Sequence, residues 1–462
     1  MGTKMVKKYA LIVITLASFL TPFMGSAINL AIPAIGRDFN SNTIILSWVA
    51  TSYILASAAF LVPFGRLSDI IGRKRIFLIG ITVFFIFTFL CGLAWSIQVL
   101  IIFRIIQGVG SAMIFSTGMA ILSSAFPPQE RGKVLGINVA TVYVGLSLGP
   151  VLGGTLNHHF GWQAIFFFTS IIALVVIIIS SKLKTDWTGS SGESFDYIGS
   201  LLYIIGFISF MYGISSVTTE PAAKAVLLAG FVLLIVFGFY EMRIKYPVLN
   251  LSLFKNVTYA FSNLAALINY SATFSLGFLL SLYFQEIQGY DSQITGMILL
   301  AQPVIMAVLS PITGALSDRV EPRILATLGM AITTLGLFFF CFLSQNTSVP
   351  LIVINLVFLG TGFALFSSPN SNAVMGSVEK RYYGIASSTL GTMRLTGQAV
   401  SMAIVTLLMT IYLGNAELTP ALRSNLMTCT KASFAIFSLI SFGGIFASWA
   451  RGKRAKKIAE AR

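Results

Sequence analysis

The sequence predicts an all-α membrane protein with fourteen transmembrane helices. Three observations carry that prediction: the composition, a series of long apolar stretches, and a one-sided distribution of basic residues. Charged residues make up 10% of the 462 positions and hydrophobic residues 56%, with mean hydropathy +0.88. A soluble domain carries about a quarter charged residues, so lipid is the solvent this chain is built for. A bilayer core of about 30 Å takes about 20 helical residues to cross. Apolar stretches of that length run over 9–32, 46–65, 76–95, 98–121, 134–156, 162–181, 197–216, 223–240, 258–284, 292–315, 324–344, 350–372, 385–412 and 431–450. They are continuously apolar rather than alternating, which selects helices over a barrel.

The first stretch follows Lys4, Lys7 and Lys8. Its apolar run is longer than a signal h-region and further spans follow it, so it reads as a retained first helix. With the N-terminus placed in the cytoplasm, inner segments hold 24 of the 30 basic residues and outer segments four, Arg37, Lys224, Arg423 and Lys431. Arg104 and Arg394 lie within spans. The split follows the positive-inside rule, and an even helix number puts both termini in the cytoplasm. The net charge of +15 is thus mostly topological. Nucleic-acid binding is the rival explanation of a pI near 9.8, but the cations are scattered over many short loops rather than gathered on one face. Cys91, Cys341 and Cys429 have no metal-like spacing and form no disulfide framework. His158 and His159, at the outer end of the fifth span, read as a surface pair rather than a proton relay.

An internal repeat fixes the architecture. Gly65-Arg-Leu-Ser-Asp69 after the second span returns as Gly314-Ala-Leu-Ser-Asp318-Arg319 after the tenth, the two aspartates 249 residues apart. The same offset carries Glu130 onto Glu379. Spans one to six therefore correspond to spans nine to fourteen, with an extra pair between them. The expected units are a six-helix bundle over 1–182, the extra pair over 183–257, a second bundle over 258–450 and a basic cytoplasmic tail over 451–462.

Four features could carry chemistry. The first is a ladder of small residues in the fifth span, Gly136, Gly145, Gly149, Pro150, Gly153 and Gly154. Glycine weakens a lone helix, so such a run points to close backbone contact or a bend, although membrane helices also use small residues merely to pack. The second is the loop Gly65-Arg66-Leu67-Ser68-Asp69-Ile70-Ile71-Gly72-Arg73-Lys74-Arg75, which joins a buriable carboxylate to a turn-forming glycine and a cluster of cations. The third is Arg104 with Gln107 in the fourth span. An arginine there costs at least about 2.5 kcal/mol on insertion scales, so it should face the bundle interior and find a partner, unless it snorkels to the outer interface. The fourth is Arg394 with Gln398 one turn later, near the middle of the thirteenth span, where snorkelling is harder. Asn29, Tyr53, Asn138, Tyr143, Asn269, Tyr270, Gln302, Asn370 and Asn372 are further polar residues that could line a cavity, each also able to serve as a helix-to-helix hydrogen bond.

The ladder's spacing matches the antiporter motif of the major facilitator superfamily, and the Asp69 loop and the Arg104-x-x-Gln107-Gly108 run resemble two more of its motifs. With fourteen spans, Phe160-Gly-Trp162, Phe195-Asp196 and Pro247-Val-Leu-Asn-Leu251, the whole chain resembles the drug:proton antiporter branch of that superfamily. The resemblance implies two parallel six-helix halves with a substrate site between them, alternating access, and export rather than import. It gives Asp69, Gly65, Gly72 and Arg73, with Asp318 and Arg319, a gating role, and Arg104, Gln107, Arg394 and Gln398 a role in transport or coupling. One departure stands out. Where that branch begins its first-helix motif with aspartate, this chain has Met24, followed by Gly25-Ser26-Ala27-Ile28-Asn29-Leu30-Ala31-Ile32-Pro33.

No Asp or Glu lies deep inside any span. Coupling would then fall to a peripheral carboxylate such as Asp69, Glu130 or Glu286, to a proton carried by the substrate, or to nothing. Two buried arginines without a counter-charge favour neutral or weakly acidic amphipathic substrates over cations. The expected protein is a monomeric exporter in the cell membrane whose partners are a small molecule, protons and lipid, without nucleic acid, metal or cofactor. A metabolite carrier or an uncoupled facilitator of the same fold is the alternative. An enzyme or sensor is disfavoured, because the spans hold no catalytic constellation and the loops no signalling domain.

Overall fold

The computed structural model describes residues 3–40, 43–183, 185–216, 222–290, 292–413 and 423–452; Asp291, the tail beyond 452 and the side chain of Asn29 lie outside that description. Among the described residues all the long regular elements are helices. The first eight are α1 (Thr3–Phe39), α2 (Thr43–Ile71), α3 (Arg73–Cys91), α4 (Ile97–Ala125), α5 (Arg131–Phe160), α6 (Gln163–Ser181), α7 (Tyr197–Ser216) and α8 (Ala223–Glu241). The rest are α9 (Val257–Thr273), α10 (Leu276–Leu282), α11 (Ser292–Leu299), α12 (Ala301–Arg319), α13 (Pro322–Phe340), α14 (Val349–Gly376), α15 (Tyr383–Leu413) and α16 (Arg423–Ala450). They supply fourteen helical spans long and apolar enough to cross a bilayer, α9 and α10 together making the ninth and α11 and α12 the tenth. The break between α9 and α10 is tolerated because Ser401 Oγ accepts from the Ser275 N–H at 3.2 Å, re-satisfying a freed backbone group.

The helices pack as two groups, α1 to α6 and α9 to α16, joined mainly where α5 crosses α12 and where α15 crosses α2 and α4. The 249-residue repeat is visible in three dimensions, since the offset carries α3 onto α13 at both ends. Helices α7 and α8 pair with each other, and α7 leans on the α2–α15 seam, where the Tyr203 and Thr392 hydroxyls meet at 3.3 Å. Lys7 pairs with Glu130 at 2.9 Å, Arg131 reaches the Met375 carbonyl, Asn256 reaches the Ser377 carbonyl and Thr258 donates to the Arg451 carbonyl, so the start of α1 and the end of α16 share one side of the molecule, called here the terminal face.

Glycine sets how closely the helices cross. A Cβ on Gly65 would stand 2.7 Å from the Gly384 carbonyl oxygen, and one on Gly314 would stand 2.9 Å from the Gly136 Cα. The ladder on α5 therefore serves two neighbours. Toward the terminal face Gly132 and Gly136 meet α12; farther along, Gly145, Gly149 and Gly153 meet Phe19, Ser26 and Ala27 of α1. Pro150 is exposed and Gly154 half-buried. At the turn before α3, Gly72 takes φ 119°, a backbone conformation that side chains of L-residues rarely adopt.

Gly314→Val should insert into the membrane yet fail to bring the halves together at the terminal face. Spin labels placed across the α5–α12 crossing should report a shift of at least about tenfold toward separated halves, equivalent to about 1.4 kcal/mol. An unchanged distance distribution would show that the close crossing is not what permits closure.

Candidate functional site

The bonds that join the halves gather at the terminal face and form a reciprocal pair. Asp69, at the end of α2, is fully buried and accepts from the Gly384 and Ile385 N–H groups at 2.9 and 3.1 Å, at the start of α15 in the other half. Asp318, at the end of α12, accepts from the Gly132 and Lys133 N–H groups at 2.7 and 3.0 Å, at the start of α5. Each half thus caps a helix N-terminus of the other, where unpaired N–H groups and the helix dipole both favour an anion. Arg73 holds the Asp69 carboxylate with Nε at 2.9 Å and Nη2 at 2.7 Å, and the same guanidinium reaches the Lys380 carbonyl across the interface. Asn372 donates to Asp318 at 3.2 Å. Arg131 completes the face, donating to the Met375 carbonyl at 3.1 Å and the Tyr383 hydroxyl at 2.7 Å. Arg319 is exposed at the end of α12.

Sequence reasoning missed one participant. The segment between α6 and α7 folds under the α2–α3 turn, where Gly189 and Ser190 donate to the Asp69 carbonyl at 2.9 and 2.8 Å and Trp187 accepts from the Arg73 N–H at 3.0 Å. Nothing in its polar, glycine-bearing sequence separates it from a solvated linker.

Arg104 is fully buried inside the first half. Its Nε donates to the Val49 carbonyl of α2 at 2.9 Å, its Nη1 to Gln107 at 2.6 Å, and its guanidinium lies 4.3 Å from the Tyr53 ring centroid. Gln107 continues to Thr88 of α3 at 2.6 Å, and Tyr53 to Ser111 at 2.9 Å. This network ties three helices of one half together and does not reach the other half. Several other polar residues also bond locally. Asn138 accepts from Ser18 of α1 at 2.7 Å, Asn269 donates to the Met330 sulfur, and Asn370 accepts from Arg451 at 2.9 Å near the terminal face. Gln302 is half-buried on α12.

The residues that meet between the halves are different ones. Tyr143 of α5 packs edge-on against Phe363 of α14 at 5.8 Å, and Phe363 packs on Tyr270 of α9 at 5.5 Å. Met306 of α12 closes the cluster. Arg394 stands 5.3 Å from the Tyr270 centroid, half-buried, with Gln398 half-buried one turn on. Tyr143 lies about 18 Å along α5 from its terminal-face end and Met306 about 20 Å along α12, which is midplane depth. Phe363 and Met306 carried no signal in the sequence, because an aromatic or methionine in an apolar helix looks the same whether it faces lipid or a partner.

The comparisons with known proteins agree with this architecture. The Major Facilitator Superfamily model matches residues 14–266 and 262–461. The chain belongs to that superfamily. Among curated relatives of this facilitator, the riboflavin transporter RibZ of Clostridioides difficile is 32% identical over 86% of this chain and 87% of its own length. The multidrug resistance protein Stp of Mycobacterium tuberculosis is 30% identical over 86% and 74%. A tetracenomycin C resistance and export protein of Streptomyces glaucescens is 25% identical over 88% and 76%. The last two names agree with the fourteen-helix efflux type. The solved human organic anion transporter MFSD10 shares the fold, with TM-score 0.64, 12% identity and coverage of 96% and 98%. The chain is a multi-pass membrane transporter of small molecules.

The two arginines should separate in experiment. Arg104→Ala removes charged hydrogen bonds inside one half and should cost about 2 to 3 kcal/mol of stability, seen as a lower thermal midpoint of the purified protein. Arg394→Ala should leave that midpoint within a degree or two while changing substrate transport. Equal destabilisation by both would mean that Arg394 is a packing residue.

Proposed function

We propose that this facilitator exports neutral or weakly acidic amphipathic compounds across the cell membrane, with protons moving the opposite way. On this reading the terminal face is cytoplasmic, both termini lie inside, and the conformation described is the outward-facing one with its inner gate shut. A single chain would suffice, with the six-helix units at 1–182 and 258–450 rocking about the midplane cluster and the 183–257 pair riding on their seam. The observation that carries the proposal is the reciprocal pair of carboxylate caps. Both carboxylates bond backbone N–H groups of the opposite half. Protonating either one removes the charge from those bonds and from its attraction to a helix N-terminus, which favours opening. Coupling placed at the gate would not require the first-helix aspartate that Met24 replaces. The midplane site, aromatic and cationic, suits a planar or weakly acidic molecule.

A second reading has one observation in its favour. The 32% identical relative is named for riboflavin, so a carrier dedicated to a planar aromatic metabolite fits the same site.

The test is flux of a panel of fluorescent amphipathic probes through proteoliposomes with an imposed pH gradient switched on and off. The native chain should follow the gradient, and Asp69→Asn should lower gradient-driven flux at least about tenfold while leaving downhill exchange. Gradient response surviving in both Asp69→Asn and Asp318→Asn would reject coupling at the gate. Transport of a flavin with no probe moved would select the dedicated carrier.

A further inference from the structure

A cavity of about 200 Å³ opens at the terminal face where four segments converge: the end of α2, the α6–α7 segment, the α8–α9 segment and the start of α15. Its polar lining comprises Arg66, Glu193, Lys245, Asn250, Arg381 and Tyr382. Arg66 is the unusual member. It is 2% exposed, and one terminal nitrogen pairs with the Glu193 carboxylate, yet its Nε and Nη1 are buried without a hydrogen-bond partner. Buried donors on a charged group are rarely left unused in a native protein. Lys245 is exposed above the Tyr246 ring, and Arg381 is about half exposed above the Tyr382 ring, with Glu379 on its outer side at 2.9 Å. Glu241 lies behind the α8–α9 segment and is engaged with the Leu249 N–H at 3.1 Å. Within the cavity three cations therefore face one carboxylate.

We infer that this cavity binds a phosphate group, and that the bound phosphate fastens the closed terminal face. Glu193 pairs with Arg66 and Glu379 pairs with Arg381 from outside the cavity, so the three cations keep one positive charge in excess, centred on Lys245 beside the unused Arg66 donors, which a phosphate or phosphate ester offsets. A tetrahedral phosphate offers acceptors in several directions, so it can bond Lys245, Arg381 and the Asn250 amide together with Arg66 once a small turn of that side chain brings its unused donors to the cavity; a planar carboxylate reaches fewer of them. The lining comes from both halves and from both segments flanking α7 and α8. Occupancy therefore stabilises only the arrangement in which those four segments converge. The phosphate could be free in solution or be a lipid headgroup. The inference rests on reading this face as a gate, but binding itself does not depend on what is transported.

The experiment uses the full chain in nanodiscs of phosphatidylcholine, with its thermal midpoint followed by tryptophan fluorescence while inorganic phosphate replaces chloride at constant ionic strength. The expected result is a saturable rise in the midpoint that is lost in Arg66→Gln and in the Lys245→Gln/Arg381→Gln double variant, whose changes are on the surface and spare the fold. Discs containing phosphatidylglycerol separate the sources. A raised midpoint in those discs without phosphate, lost in the double variant, assigns the site to a lipid headgroup; no rise in them, with saturation by free phosphate, assigns it to a soluble ligand. No saturable, variant-sensitive rise in either disc overturns the inference. Failure of probe transport alongside a normal rise would instead strike at the export reading and leave the site standing.

Discussion

Two carboxylates join the halves of this molecule, each by capping the first turn of a helix that belongs to the opposite half. Charged hydrogen bonds of this kind contribute about 1.5 to 3 kcal/mol each, and the four that Asp69 and Asp318 make to backbone N–H groups all cross the interface. On the gating reading proposed above, their energy enters the equilibrium between closed and open arrangements rather than the folding of either half. In the open arrangement water takes the same donors, so the net bias is a fraction of the gross sum. A few kcal/mol is nonetheless the right size, since about 5.5 kcal/mol moves a two-state system from 1:99 to 99:1. A much stronger lock would stop the cycle.

The capped helices can approach this closely only because glycine lets the backbones meet. Gly65 lies against Gly384, and Gly132 and Gly136 lie against Gly314, one turn or less from the capping carboxylates. The arrangement follows from the repeat. One repeated pattern, a glycine four residues before an aspartate at the end of a helix, produces the same crossing twice. The two crossings are not equal, because Asp69 is fully buried and carries Arg73 with it, whereas Asp318 is half-buried beside Asn372. The repeat thus supplies two carboxylate caps of different exposure, and on the proposed reading the more accessible one meets water and protons first.

The fold was legible because it rests on long-period signals. Fourteen apolar runs, a 249-residue offset and a glycine spacing survive without any knowledge of contacts, and Asp69 stood out by its motif. The repeat points to Asp318 and Arg319 as well, and Tyr143, Tyr270 and Arg394 of the midplane cluster are candidates from the sequence alone; what the sequence does not carry is their partners. Asp318 gave its position through the repeat, but its partners are backbone N–H groups, which every non-proline residue possesses. Arg104 was placed in the bundle interior correctly, yet its first partner is the Val49 carbonyl, equally invisible in a sequence. Asn370 reads like a cavity residue and instead meets Arg451, because a polar residue on a helix carries no label for which neighbour it faces. Phe363 and Met306 went unnoticed for the opposite reason, being apolar among apolar residues.

On the export reading proposed above, the midplane cluster constrains what can cross. Arg394 stands beside Tyr270, and no carboxylate lies at that depth in the sequence. A monocation brought to about 6 Å from a guanidinium at an effective dielectric of about 20 meets a repulsion of about 3 kcal/mol, a loss of roughly a hundredfold in affinity. A neutral ring pays nothing of that, and a weak acid gains by it. The aromatic faces of Tyr143, Phe363 and Tyr270 add contact area that does not depend on the charge of the guest. On that reading, Met24 at the place of the first-helix aspartate and the presence of Arg394 act in the same direction, toward guests that bring no positive charge of their own.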